Sequence, residues 1–316
     1  MTILLFLLGF VVLVIGANAL VNGASSLGKR FGLSDMVIGL TIVALGTSLP
    51  ELIINVFASS YGNTDLAISN ILGSNIFNIL MVLGLAATIR PLATQPSTVN
   101  RDIPTVLIAT LLLGILVHDS VLFPGYTDKL GRIEGMVFLA GMAVYLWISF
   151  RDSNKYPEEK PSTGRVKPLG ISLLLIASGL AGLYFGGNWI VKGVGEVADA
   201  LGIGESETGL TIVATATSLP ELVTSVIAAM RKKSDMALGN AIGSCIFNIF
   251  LILGISSVIH PLPFGEDSLG DLLMTLFASF LMFVFIFTGK GRVISRLEGI
   301  IMLMIYVSFL WFRLSG

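Results

Sequence analysis

Gly39 to Glu51 reads GLTIVALGTSLPE, and Gly209 to Glu221 reads GLTIVATATSLPE. Eleven of these thirteen positions match at an offset of 170 residues. The same offset, without a gap, aligns Asp65–Asn78 (DLAISNILGSNIFN) with Asp235–Asn248 (DMALGNAIGSCIFN). It also aligns Gly16-Ala17-Asn18 with Gly186-Gly187-Asn188, and Ile89-Arg90-Pro91-Leu92 with Ile259-His260-Pro261-Leu262. Farther along each half, Arg132-Ile133-Glu134-Gly135 echoes Arg296-Leu297-Glu298-Gly299. The chain is an internal duplication.

The medium around it follows from composition. Of 316 residues, 54% are hydrophobic and only 12% charged, with a mean hydropathy of +0.90. A soluble domain carries about 25% charged residues, so most of this surface faces lipid. The net charge of −1 argues against nucleic acid as a partner. The single Cys245 excludes an intrachain disulfide, and with only His118 and His260 there is no zinc spacing. Ala17-Asn18-Ala19 resembles a signal-peptide cleavage site, but no basic residue precedes the apolar run. That run is read as the first helix of the mature protein.

Apolar stretches of about 17–25 residues mark bilayer-spanning helices. Ten are expected: 3–27, 36–59, 66–89, 103–118, 131–150, 168–191, 206–230, 236–259, 271–288 and 296–313. The expected fold is an all-α integral membrane protein built from two five-helix repeats, residues 1–150 and 168–316. A solvated linker, residues 151–167, joins them. Five is odd, so the second repeat enters the membrane from the opposite side, which is the inverted plan of secondary transporters. Alternate loops separate the basic residues. One side holds Lys29, Arg30, Arg90, Arg101, Arg151, Lys155, Lys160, Arg165, Lys167, Arg231, Lys232, Lys233, Lys290, Arg292 and Arg296; the other holds Lys129, Arg132, Lys192 and Arg313. The positive-inside rule makes the first side cytoplasmic and puts both termini outside.

Glu51 and Glu221 fall well inside spans two and seven. An acid at the bilayer centre costs about 2.5–3.5 kcal/mol, so the pair costs about 5–7. No Lys or Arg occupies a span's middle to offset that; cations from solution are the available counter-charges. Pro50 and Pro220 precede the two acids and deprive the carbonyls of Gly46 and Ala216 of a helical partner. Carbonyls of Thr47 and Thr217 are loosened with them. Such groups persist in a bilayer only where they line a cavity or meet a ligand. The hydroxyls of Thr47, Ser48, Thr217 and Ser218 surround the breaks, and oxygen-rich sites suit hard cations such as Ca2+, which takes about six to eight oxygens. Ser74 with Asn78, and Ser244 with Asn248, each share one helix face four residues apart. Asn70 and Asn240 lie a turn away and either line an approach or bond backbone.

Blander roles fit other polar residues. Asn18 and Asn188 read as interhelical hydrogen-bonding groups, Asn55 and its counterpart Ser225 as packing. Glu134 with Arg132 and Glu298 with Arg296 read as interfacial ion pairs, and Cys245 as a small apolar filler.

The two T-S-L-P-E strings, each followed by G-S-x-I-F-N, resemble the signature repeats of the Ca2+/cation antiporter superfamily, specifically its Na+/Ca2+ exchanger family of prokaryotic type, over segments 39–78 and 209–248. Proton-coupled relatives generally carry G-N-x-x-E at this place. The resemblance implies that Glu51 and Glu221 are the principal carboxylate ligands, and that Thr47 and Thr217 offer carbonyls to Ca2+. It further implies that Ser48, Ser218, Ser74 and Ser244 complete sodium sites, joined by the carbonyls of Ala44 and Ala214, with Asn78 and Asn248 as the central polar pair. Two departures stand out. Family members often have Asp where Asn248 stands, and Ala216 replaces the usual glycine.

The expected function is therefore electrogenic exchange of Ca2+ for Na+ by alternating access, with spans one and six sliding past spans two, three, seven and eight. A Ca2+/H+ antiporter and a cation channel are the alternatives. An intramembrane hydrolase lacks its motifs: neither H-E-x-x-H nor G-x-S-x-G is present. No cofactor and no obligate protein partner are expected; the ligands are the transported Ca2+ and Na+ ions and the surrounding lipid. A prokaryotic plasma membrane is the expected location.

Overall fold

The structure is a computed structural model that describes residues 2–118, 127–153, 166–200, 215, 217–288 and 292–315. Helices dominate it. In chain order they are α1 (Thr2–Phe31), α2 (Asp35–Thr47), α3 (Leu49–Ser60), α4 (Thr64–Ile89), α5 (Thr98–Leu116) and α6 (Arg132–Ser153). Then come α7 (Leu169–Ala200), α8 (Leu219–Met230), α9 (Ser234–Ile259), α10 (Glu266–Thr288) and α11 (Arg296–Ser315). Among the described residues, seven helices are long and apolar enough to cross a membrane, or eight if the pair α2 and α3 is one span. The other two expected spans correspond to α8, whose N-terminal approach lies outside the described residues, and to α11. The start of the expected span 206–230, Ala214, Ala216 and most of the linker 151–167 also fall outside them.

One expected span is not straight. Residues 36–59 form two helices bent by 47°. The break falls at Ser48 (φ −85, ψ 7), and Pro50 opens the second helix. Proline has no N–H to give to the previous turn but suits the first turn of a new helix. Ser218, at the repeat position, has nearly the same backbone angles (φ −89, ψ 5), and Pro220 opens α8.

Burial sorts core from periphery. In α4 and α9, 78% of the apolar window is buried inside the protein, against 22–39% in the other long helices. Both central helices carry a widened π-type stretch at the same repeat position, Phe77–Leu83 and Phe247–Leu253. Asn78 and Asn248 lie in these stretches, and π-bulges often mark functional sites. The halves meet backbone to backbone where α2 crosses α9: a Cβ on Gly39 would stand 2.7 Å from the Met236 carbonyl. Outside this core, α1 and α7 run antiparallel in contact. A Cβ on Gly16 would lie 2.8 Å from the Leu183 nitrogen, and one on Gly179 would lie 2.6 Å from the Leu20 nitrogen.

Two short ladders tie one half to the other. β1 (Leu92–Ala93) pairs antiparallel with β4 (Val293–Ile294), and β2 (Lys129–Leu130) with β3 (Leu262–Pro263). Each ladder joins one strand from the first half to one from the second.

At the basic end of α8, the Arg231 guanidinium donates to the side-chain oxygens of Asn18 and Asn22, and Lys233 Nζ sits 2.7 Å from Asp35 and 2.6 Å from Ser25. Asn18 thus has the interhelical role expected of it. Glu298 does not pair with Arg296. Its carboxylate accepts from the Ser295 amide (2.6 Å) and the Thr288 hydroxyl (2.6 Å), while the Ser295 hydroxyl accepts from the Glu298 amide. The S-x-x-E spacing makes a capping box at the start of α11, and Arg296 donates instead to the Ile89 carbonyl.

Candidate ion-binding site

In the first half Thr47 ends α2, Ser48 forms the break and Leu49-Pro50-Glu51 opens α3; in the second, Ser218 precedes Leu219-Pro220-Glu221 at the start of α8. The bend turns the serine away from its own acid and toward the other half. Ser218 donates to Glu51 Oε1 at 3.1 Å. In the reciprocal position, the hydroxyls of Ser48 and Ser244 lie 2.9 and 3.2 Å from Glu221 Oε1 and 2.9 Å from each other. Both carboxylates are 0% exposed. The sequence placed the two acids in separate halves; the fold brings them into one polar cluster whose bonds cross the repeat boundary.

Asparagine side chains hold the threonines. The Thr47 hydroxyl lies 3.1 Å from Asn240 Oδ1 and 3.2 Å from the Ala44 carbonyl, and the Thr217 hydroxyl lies 3.5 Å from Asn70 Oδ1. Asn240 donates to the Glu221 carbonyl (3.2 Å) and to Ser225 (2.9 Å), as Asn70 donates to Asn55 (2.7 Å). Asn55 and Ser225 in turn reach the carbonyls of Ala67 and Ala237. So Asn70 and Asn240 support the site from behind, and Asn55 and Ser225 anchor them. The Ala44 carbonyl also accepts from the Ser48 amide (3.0 Å), so it is turned into its own helix.

Several buried polar atoms here have no hydrogen-bond partner among the described residues: Glu51 Oε2, Glu221 Oε2, Ser74 Oγ, both side-chain polar atoms of Asn78, and Asn248 Oδ1. Buried polar groups are otherwise nearly always paired. An orphan costs about 1–3 kcal/mol, and more when charged. Six of the twelve such atoms among the described residues belong to the repeated motifs, and they are candidate ligand atoms. Among the described residues no three His, Cys, Asp or Glu side chains converge. The set is two carboxylates with hydroxyl and amide oxygens, hard ligands that suit alkali and alkaline-earth ions over transition metals. A cavity of about 290 Å3, lined by Gly46, Thr47, Pro50, Leu180, Tyr184 and Pro220, reaches the break from the α7 side.

The family model for sodium/calcium exchanger proteins matches residues 1–151 and 171–315. The chain belongs to the sodium/calcium exchanger protein family. Among relatives of this exchanger-family chain, a putative antiporter, CaxA, of Alkalimonas amylolytica is 35% identical over 98% of both chains. The sodium/calcium exchanger MaX1 of Methanosarcina acetivorans is 32% identical over 97% of both. A solved structure of the sodium-calcium exchanger NCX_Mj, soaked with zero Na+ and Ca2+, superposes with a TM-score of 0.82 at 32% identity, covering 98% of this chain and 97% of that one. By family and by its apolar helices, the chain is a multi-pass membrane protein of a transporter family.

Of the residues singled out in this exchanger's sequence, Glu51, Glu221, Ser48, Ser218, Ser244, Thr47 and Thr217 fall in the bonded cluster. Ser74, Asn78 and Asn248 supply orphaned atoms. Ala214 lies outside the described residues. Sequence reasoning missed Asn75. Its side-chain oxygen accepts from Asn248 Nδ2 at 3.0 Å, and its own amide reaches the Cys245 carbonyl at 3.5 Å. The Cys245 side chain is buried in the apolar core, and its backbone carbonyl accepts that amide. The signal available was position: Asn75 pairs with Cys245 at the repeat offset, between Gly-Ser and Ile-Phe-Asn on both sides, so a polar group in one copy only marks an asymmetry.

Proposed function

We propose that this protein exchanges Ca2+ for Na+ across a prokaryotic plasma membrane by alternating access, at a site between its two halves. In this reading residues 1–150 and 168–316 are inverted five-helix repeats giving ten spans, the linker 151–167 is cytoplasmic, and both termini are outside. The basic residues of alternate loops support that orientation. Ca2+ is held by the carboxylates of Glu51 and Glu221, with carbonyls of Thr47 and Thr217. Sodium uses the hydroxyls of Ser48, Ser218, Ser74 and Ser244 and the carbonyls of Ala44 and Ala214. Asn78 and Asn248 line the centre. Among the described residues, the six-atom orphan set of Glu51, Ser74, Asn78, Glu221 and Asn248 is the observation that carries the reading.

Two carboxylates contribute about −2, which one Ca2+ neutralises. Two Na+ do the same, and more than two overcompensate. The two kinds of ion therefore compete for one set of charges, as exchange requires. The bonds that cross the repeat boundary give each ion a way to act on both halves at once. The name of the exchanger MaX1 agrees with sodium as the counter-ion.

Proteoliposomes loaded with Na+ and diluted into Na+-free buffer should take up labelled Ca2+, and equal Na+ on both sides should abolish uptake. Uptake driven by a pH gradient and indifferent to Na+ would replace this reading with a Ca2+/H+ antiporter.

A further inference from the structure

The duplication breaks at its centre. Asn78 and Asn248 are repeat counterparts, both fully buried, yet their amides are held differently. Asn248 Nδ2 donates to Asn75 Oδ1 at 3.0 Å, and Asn75 is itself oriented by its amide, 3.5 Å from the Cys245 carbonyl. With its N–H2 satisfied, Asn248 is left with a free Oδ1. Asn78 has no equivalent lock. The residue that would provide it stands at 245, and there the chain has cysteine, whose thiol lies 4.0 Å from the Asn75 carbonyl and is a weak acceptor. Both polar atoms of Asn78 are unpartnered among the described residues.

A primary amide can turn either its oxygen or its N–H2 toward a neighbour, and only the oxygen serves a cation. Turning the oxygen inward leaves the N–H2 buried and unpaired unless something behind it accepts. Asn75 is that acceptor. We propose that Asn75 is a positioning residue that fixes Asn248 as a pre-organised oxygen donor to the transported cation, while Asn78, which has no such lock, is free to turn and must bring its oxygen in when a cation binds. Pre-organisation matters most here because position 248 carries no charge of its own to hold a cation. This rests on the exchange reading of the same site. It deepens that reading by giving the two central amides unequal roles.

The test moves the lock. Asn75→Cys removes it; Asn75→Cys with Cys245→Asn rebuilds it in the other half, behind Asn78. Ca2+ binding to purified protein is measured by calorimetry, alongside Na+-driven Ca2+ uptake in proteoliposomes. Losing one such hydrogen bond is expected to raise the Ca2+ dissociation constant about fivefold, with maximal uptake rate held within about twofold. The double variant should recover most of the affinity, which a packing defect would not do. Truncation provides a readout that does not need the single variant to fold: Asn248→Ala should weaken Ca2+ more than Asn78→Ala in the natural protein, and the order should reverse in the double-swap background. Unchanged affinity in Asn75→Cys, or an order that does not reverse, overturns the proposal. Failure of the exchange reading looks different, because then the natural protein itself neither binds Ca2+ nor couples it to Na+.

Discussion

Two acids 170 positions apart share one cluster because each is bonded by the serine of the opposite break. Replacing either acid should then have two effects of opposite sign. Glu51→Gln or Glu221→Gln removes half the site's negative charge, and losing one partner of a buried charged contact costs about 3–5 kcal/mol. Ca2+ affinity should fall by at least about a hundredfold, read by calorimetry or labelled-Ca2+ binding. The ion-free protein should melt at the same temperature or higher, since a neutral amide avoids the cost of about 2.5–3.5 kcal/mol for a charge at mid-membrane. A variant that melts lower without ions but binds Ca2+ normally would make these glutamates structural. Both acids and their flanking Thr-Ser were legible in the sequence, because a charge in an apolar span and a proline beside it each break a local rule. Asn70, Asn240 and Asn75 were harder to read. Asparagine at a buried helix position fits a ligand, a packing group or a backbone anchor equally well, and only the partner across the interface decides. The Asn240 contacts with Thr47 and Ser225 could not be inferred from spacing within one helix.

Periodicity and length place most of the helices to within a few residues; α4 and α9 differ from the expected spans by two at their starts. The 47° bend in the second span was implied by Pro50 but not located, because proline fixes where bonds are lost and not how the chain turns. The π-type widening around Asn78 and Asn248 left no sequence signal. The role of Glu298 did leave one, the S-x-x-E spacing of a capping box, which outweighed the neighbouring arginine. Glycine spacing in α1 and α7 went unread although it sets how these helices meet. Gly9, Gly16 and Gly23 recur every seventh residue on α1, facing the glycines of α7. Membrane helices gain no hydrophobic drive from each other and rely on such close approach. Gly16→Ala puts a methyl 2.8 Å from the Leu183 nitrogen and 2.9 Å from the Gly179 carbonyl. Neither backbone atom can yield without separating the helices. Overpacking of this kind costs about 1–3 kcal/mol, which should lower the melting temperature in detergent by about 3–10 °C. Gly170→Ala, on the same α7 but with nothing within 4 Å of the added carbon, should leave it unchanged. Equal shifts for both would mean that α1 and α7 do not pack as described.

At the scale of the whole molecule, the duplication makes each half incomplete. The ladders pair β1 with β4 and β2 with β3, and the carboxylate of one half takes its hydroxyl from the other. Neither half can therefore rearrange without altering the contacts of its partner, which is what coupling an outer opening to an inner closing requires. The two-half plan was legible from the offset of 170, and the cross-pairing was not, since strands of two residues carry no alternating pattern. Charge balance then sets how the exchanger responds to voltage. With about −2 in the site, one Ca2+ leaves it neutral, and any count of Na+ above two moves net positive charge opposite to Ca2+. If more than two Na+ leave for each Ca2+ that enters Na+-loaded proteoliposomes, positive charge leaves, so an inside-positive potential should speed uptake and an inside-negative potential should slow it. A potential of about 60 mV acts on one net charge with about 1.4 kcal/mol, up to about tenfold in the steady-state accumulation of Ca2+. Valinomycin with K+ gradients of either direction sets the two potentials, and labelled Ca2+ reads the result. If accumulation is the same at both potentials while still needing the Na+ gradient, exchange is electroneutral and two Na+ replace one Ca2+.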